Sequence, residues 1–357
     1  MTDGKSKKGA VVLFNLGGPD GPAAIAPFLF NLFNDPAIIA APAPIRWLIA
    51  KMISRKRAPV AAEIYQHLGG KSPLLDLTRR QADALKGALN AVDGDTHWEV
   101  FIAMRYWHPM SGAVARAVKS YGADEVVLLP LYPQYSTTTT GSSVRDWMKA
   151  ARRAKLTAPH RGLCCYPDNA GLVAAQAKLI GAALADAEHH ANGAPVRVLY
   201  SAHGLPKKVI AAGDPYQAQV EATAAAITRA LGMENLDTQV CYQSRVGPLA
   251  WIGPSTEDEI RRAGRDGVAL VVVPVAFVSE HSETLVELDI EYAEVARDAG
   301  VRVYRRVPAV GTEPDFISGL AGLVAARGAI GAGSCAAPAG PGAACAGFSK
   351  CPFGEKI

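Results

Sequence analysis

Val268-Ala-Leu-Val-Val-Val-Pro-Val275 is an unbroken apolar run, and after Ala276 the chain continues Phe277-Val-Ser-Glu-His281-Ser-Glu283-Thr-Leu-Val-Glu287-Leu-Asp-Ile-Glu291-Tyr292. The first run reads as a strand buried on both faces, as parallel strands are. The second predicts a helix that starts at the carboxyl edge of that sheet, where open α/β folds bind ligands. Glu283, Glu287 and Glu291 recur every four residues, so on a helix they stack along one face. Like charges at that spacing repel, and no Lys or Arg lies between Glu280 and Tyr292 to offset them. The row therefore faces water, a cation or a proton path; a solvated acidic face is the structural alternative.

Working outward, Val196-Arg-Val-Leu-Tyr200 is a second short β-branched run, and it ends in Ser201-Ala-His203-Gly-Leu-Pro206. A histidine after a strand is often only a satisfied structural residue. Here Gly204 and Pro206 favour a tight, irregular loop immediately after it, which presents a side chain at the strand end rather than packing it inside. Further strands are predicted at residues 11–16, 98–104, 125–130 and 162–166 in the first half, and at 238–242 and 301–307 in the second. Helix-like stretches alternate with them throughout, which predicts parallel sheets covered on both faces and two halves of similar architecture. No sequence repeat links the halves. The polar connector His189-His190-Ala-Asn-Gly-Ala-Pro195 marks the expected break.

The chain has 357 residues, enough for two domains, and its 49% apolar and 20% charged composition is that of a globular enzyme. A net charge of +4 gives no support to a nucleic-acid partner. Basic residues do cluster at Arg46, Lys51, Arg55, Lys56 and Arg57, interleaved with Trp47, Leu48, Ile49, Met52 and Ile53. Such a segment suits a membrane surface or a hydrophobic ligand; a helix packed on the core is the alternative. No segment reads as spanning a bilayer, since the candidate at residues 36–50 is short and interrupted by Pro42, Pro44 and Arg46. Lys5, Lys7 and Lys8 precede an apolar run too brief for a signal peptide, so the reading is cytoplasmic.

Of the six cysteines, Cys241 sits in an apolar run and reads as a core residue. Cys164 and Cys165 are adjacent in the first half, whereas Cys335, Cys345 and Cys351 lie in or just beyond a Gly, Ala, Pro and Ser-rich tail at residues 331–347. That tail has no residues to build a core with, and a metal would give it a reason to order.

These pieces together resemble the ferrochelatase family, whose members insert ferrous iron into protoporphyrin. The resemblance rests on Leu13-Phe-Asn-Leu-Gly-Gly-Pro-Asp20, Leu68-Gly-Gly-Lys-Ser-Pro73, Met104-Arg-Tyr-Trp-His-Pro109 and Pro130-Leu-Tyr-Pro-Gln-Tyr-Ser136 in the first half. In the second half it rests on Ser201 to Pro206, Gly213-Asp-Pro-Tyr216, Tyr242-Gln-Ser-Arg-Val-Gly-Pro248, Trp251-Ile-Gly-Pro254 and the His281 to Tyr292 stretch. The motifs stand in family order over residues 10–325, a specificity no single motif has.

The resemblance implies an α/β fold of two Rossmann-like, chelatase-type lobes, each a four-stranded parallel sheet flanked by helices, with the active site in the cleft between them. The lobes are expected at residues 9–188, including a membrane-facing lip near 27–57, and at 195–330, with a Cys-bearing extension at 331–357. It implies a lyase that inserts Fe²⁺ into protoporphyrin IX with loss of two protons, the last step of haem biosynthesis. Rival readings are a chelatase for coproporphyrin with iron or sirohydrochlorin with cobalt, and a carrier that binds porphyrin or haem without chemistry. The protein would be a monomer or homodimer, cytoplasmic, with peripheral contact to the inner membrane.

By the same resemblance, His203 is the active-site histidine and Glu283 its facing carboxylate, the pair assigned to Fe²⁺ and to porphyrin deprotonation. Glu287 and Glu291 extend the catalytic row. Leu16, Arg105, Tyr106 and Trp251 match residues that line the porphyrin pocket; Leu16 stands where animal members carry methionine. Removing two pyrrole protons near neutral pH requires a base, for which histidine is suited. Animal members hold a [2Fe-2S] cluster through one internal and three C-terminal cysteines, but Thr137 occupies the internal position here. Cys335, Cys345 and Cys351 with one of the pair at 164 and 165 restore the ligand count, and Cys164 is the choice if side chains alternate along a strand there.

Overall fold

The computed structural model describes residues 6–245 and 247–326. Eight strands form two sheets, both wholly parallel. In the first sheet are β1 (Lys7–Asn15), β2 (Thr96–Met104), β3 (Glu125–Pro130) and β4 (His160–Gly162), in the order β2-β1-β3-β4. In the second are β5 (Val196–His203), β6 (Asp237–Gln243), β7 (Ala269–Pro274) and β8 (Tyr304–Arg306), in the order β6-β5-β7-β8. The two orders are the same permutation, so the duplication is architectural without a sequence repeat. Strands β1 and β7 are the most continuous apolar runs because helices cover both faces of a central parallel strand.

The chain divides into one compact unit that runs to Tyr166 and resumes at Leu320, and another spanning Pro167–Gly319. The division falls earlier than the polar connector at 189–195 suggested. Helix Ala170–His190 precedes that connector but packs on the second sheet, with Ile180, Leu184 and Ala187 against Val198, Tyr200 and Val271. Composition marks where a loop is exposed; it does not say which sheet a helix covers. By length and composition this same helix could cross a membrane, which the sequence reading passed over. One face of it belongs to the core of the second unit.

Strand β4 is displaced from its expected position at 162–166. Leu163, Cys164, Cys165 and Tyr166 are fully buried, yet only His160, Arg161 and Gly162 pair with β3. Apolar character reported burial, whereas the ladder is set by backbone register. Cys164 and Cys165 thus lie past the strand end, where alternation does not apply, and their Sγ atoms approach to 3.2 Å. Strand β8 is likewise shorter than residues 301–307, although Val301, Val303 and Val307 are buried.

In the first unit, helices Ile25–Phe33 and Ala43–Gln66 enclose a cluster of Ile25, Phe28, Leu29, Tyr65 and Tyr106. The second helix leaves Trp47, Leu48 and Met52 exposed, at 46%, 64% and 63%. Lys51 lies over the Trp47 ring at 4.6 Å. Those three apolar side chains therefore face outward beside the basic residues and are not the core face of an ordinary helix.

Candidate functional site

Strand β5 ends on His203, and the sharp departure after it depends on Gly204. A Cβ there would stand 3.0 Å from the Gln243 carbonyl oxygen and 3.3 Å from Cε3 of Trp251, so any larger residue would press on the indole. Trp251 is thereby placed against the backbone next to His203, bridged to Pro206. Its Nε1 is buried with no hydrogen-bond partner among the described residues.

Nδ1 of His203 lies 2.9 Å from Oε2 of Glu283, which begins the helix after β7, and Nε2 of His281 lies 3.6 Å from the same oxygen. Burial works against charge on His203, but the Glu283 carboxylate outweighs it and raises the imidazole above its ordinary value. For Glu283 burial acts in the opposite direction, and the His203 and His281 rings hold its carboxyl well below the usual carboxylate range. The fixed anion thus makes this imidazole more basic.

The glutamate row does not continue as a plain α-helix. Ser282–Leu285 is a single α-turn, Glu287–Glu291 is a π-turn, and only Tyr292–Asp298 resumes α-helix. The wide turn is closed by the Glu291 N–H donating to the Val286 carbonyl at 3.0 Å. Four-residue spacing stacks side chains only at the α pitch, so the row separates. Glu287 turns toward the end of β6. There its carboxylate accepts from the Ser244 N–H at 2.8 Å, the Ser244 hydroxyl at 2.6 Å, Gln243 Nε2 at 3.0 Å and the Tyr292 hydroxyl at 3.1 Å. Burial, then the neighbouring Glu283 charge, raises the Glu287 carboxyl above its ordinary value. Glu291 is exposed and does not join the other two.

Gln243, Ser244 and Tyr292 were not singled out from the sequence. The available signal was position: Gln243 ends β6 beside His203 in the register, and Ser244 takes a left-handed backbone conformation, φ 63°, right after it. Gln243 is held in turn by the Ser201 hydroxyl, which donates to its Oε1 at 2.8 Å.

The expected porphyrin-lining residues of the first unit gather at the carboxyl end of β1 and β2. The Tyr106 N–H donates to the Leu16 carbonyl at 3.0 Å, and the Arg105 N–H to the Asn15 carbonyl at 2.9 Å. Arg105 and Tyr106 converge on Asp35, another residue the sequence reading missed. Arg105 Nη2 and the Tyr106 hydroxyl both donate to Asp35 Oδ2, at 2.7 and 2.8 Å, and the Ser142 hydroxyl donates to the same oxygen. Burial opposes the charge on Asp35, but Arg105 and these donors hold its carboxyl below the ordinary range. Tyr106 is fully buried, so it serves Asp35 and the apolar cluster rather than an open pocket wall.

Among the described residues no group of three or more His, Cys, Asp or Glu side chains is placed to hold a metal ion. Cys164 and Cys165 are buried against one another, and Cys335, Cys345 and Cys351 lie outside the described residues. The described residues therefore offer one internal thiol pair and do not build a cluster site by themselves.

A family model described as Ferrochelatase matches residues 8–327. The ferrochelatase of Caulobacter vibrioides is 53% identical over 355 residues, covering 98% of this chain and 99% of its own. That of Phenylobacterium zucineum is 54% identical over 342 residues, covering 96% and 97%. Among solved structures, the sirohydrochlorin chelatase SirB of Bacillus subtilis in complex with cobalt aligns at 10% identity with a TM-score of 0.49, covering 88% of this chain and 92% of that one.

Proposed function

The chain belongs to the ferrochelatase family, and from that premise we propose that His203 and Glu283 form the centre at which it inserts Fe²⁺ into protoporphyrin IX to give protohaem. The observation that carries the assignment is the 2.9 Å contact between His203 Nδ1 and Glu283 Oε2 at the carboxyl end of β5. Metallation of a neutral porphyrin releases two pyrrole protons. Neutral His203 accepts the first, and Glu283 stabilises the imidazolium that results. Glu287 has a carboxyl raised by burial and by Glu283, which suits it to hold the second proton. The exposed Glu291, set apart from the other two by the π-turn, stands at solvent, where protons leave or the cation arrives. Fe²⁺ here is the substrate; in this reading neutral His203 and Glu283 hold it first, and His203 becomes free to accept a proton once the ion has passed to the ring nitrogens.

Anaerobic mixing of the purified protein with Fe²⁺ and protoporphyrin IX is expected to convert the free-base spectrum to that of haem. Coproporphyrin with Fe²⁺ and sirohydrochlorin with Co²⁺ run in parallel should turn over far more slowly. Porphyrin binding with no metallation of any of the three would leave a carrier as the better reading. The proposed [2Fe-2S] centre takes Cys335, Cys345, Cys351 and one of the pair Cys164 and Cys165. Its visible absorption in the same preparation should disappear in Cys345→Ser; a colourless wild type, or a spectrum unchanged by that substitution, removes the cluster from the account.

The exposed Trp47, Leu48 and Met52 beside Lys51, Arg55 and Lys56 support a peripheral, cytoplasmic-face contact with an anionic membrane. Replacing Leu48 and Met52 with Glu is expected to weaken binding to phosphatidylglycerol-containing vesicles by about tenfold or more, because burial of each side chain contributes roughly 1.5–3 kcal/mol. Equal flotation of variant and wild type would place the membrane contact elsewhere or nowhere.

A further inference from the structure

Arg306 closes β8 with a guanidinium committed on two sides. Its Nε and Nη2 donate to both carboxylate oxygens of Asp289, at 2.7 and 2.5 Å, and its Nη1 donates to Glu280 Oε1 at 2.5 Å. That Glu280 oxygen also accepts from the Ala309 N–H at 2.9 Å. The other, Oε2, is buried with no hydrogen-bond partner among the described residues. The Arg306 side chain is only 11% exposed.

None of these contacts reaches His203, Glu283 or Glu287, yet each partner stands next to a member of that group. Glu280 directly precedes His281, whose ring approaches Glu283. Asp289 lies within the π-turn, two residues after Glu287. From this geometry we infer that Arg306 is a positioning residue for the iron-insertion centre. It clamps both ends of the segment from Glu280 to Asp289 and so holds the wide turn that delivers Glu287 to Ser244. A single wide turn inside a helix persists where its surroundings hold it, because an uninterrupted α-turn is otherwise preferred. A planar fork satisfied by both oxygens of one carboxylate fixes direction as well as distance, which a lysine ammonium cannot do. Without the guanidinium, the partly buried Glu280 carboxylate would lack its counter-charge, and the turn would lose the contact at Asp289 that orients it.

The inference rests on the His203–Glu283 reading of the site. Three variants test it in the anaerobic assay: Arg306→Lys, which keeps the charge without the fork, Arg306→Gln, which removes both, and Asp289→Asn, which weakens the fork from the other side. All are expected to lower kcat or raise KM for Fe²⁺ by about tenfold or more, the usual effect of losing a partner that orients a metal-site ligand, with KM for porphyrin unchanged. Arg306→Lys should recover part of what Arg306→Gln loses. Arg306→Lys combined with Asp289→Asn should cost little more than either alone, because both break one contact. Should Arg306→Gln not fold, Asp289→Asn and the combined variant decide the matter. Variants that lower the unfolding temperature but keep wild-type kcat and KM for Fe²⁺ would overturn the inference and leave Arg306 a structural clamp. Failure of the underlying site reading would show separately, as a His203→Ala enzyme that still inserts iron.

Discussion

His203→Ala is expected to lower kcat for iron insertion by about 10²–10⁴-fold, the range spanned by a positioned general base. The side chain stands part-exposed at the end of β5, so its truncation opens no cavity in the core of the second sheet. What it removes is the proposed proton acceptor and the nearest counter-charge of Glu283. Porphyrin binding, followed by quenching of its fluorescence, should survive, because the loss is in the chemical step. Stopped-flow metallation under argon measures the rate directly. A variant that turns over at the wild-type rate would end the role assigned to His203, and one that neither binds nor metallates would point to a structural defect instead.

Glu283→Gln should displace the pH profile as well as the rate. In the wild type, burial disfavours the imidazolium and the Glu283 carboxylate more than compensates, so His203 titrates above the ordinary 6.5. A neutral glutamine leaves burial opposed only by the weaker effect of Glu287, and His203 then titrates lower. Catalysis requires the neutral imidazole, so the acid limb of kcat/KM moves to lower pH in the variant, while kcat falls because the base is weaker. The same pair has a signature in stability. The raised His203 contributes fully below 6.5 and its contribution is lost as pH rises through its folded value. The depressed Glu283 contributes above the ordinary 4.5 and its contribution is lost as pH falls through its folded value. The difference in unfolding temperature between wild type and Glu283→Gln should therefore be largest from pH 4.5 to 6.5 and shrink at alkaline pH. An acid limb that stays in place, or a difference that grows with pH, would contradict the ion pair.

Strand β3 falls on the residues where apolar patterning puts it, and β7 differs from the expected run only at its ends. Both are interior strands of parallel sheets, for which burial and ladder pairing coincide. They part company at the edges. Leu163–Tyr166 and the valines at 301, 303 and 307 are buried in the core, but the neighbouring strand pairs with only part of that chain, and β4 and β8 shorten accordingly. The meeting of His203 and Glu283 was legible because each follows a recognisable strand, at its carboxyl edge, in a recognisable motif. The stacking of Glu291 over Glu283 and Glu287 on one helix face is not kept, because it assumed an α pitch that the π-turn replaces.

The order of amino acids by itself determined the local features of this protein: where strands begin from runs of β-branched residues, where Gly204 and Pro206 turn the chain after His203, and which family the motifs mark. Tertiary structure alone decided the partnerships. Asp35 meets Arg105 and Ser142 across 70 and 107 residues, Glu287 meets Gln243 and Ser244 across 44 and 43, and Arg306 meets Asp289 and Glu280 across 17 and 26. Hydrophobic periodicity is a property of neighbours along the chain. A hydrogen-bond partner is chosen by which strand lies beside which, and by where a turn widens, and both are settled only when the core has packed.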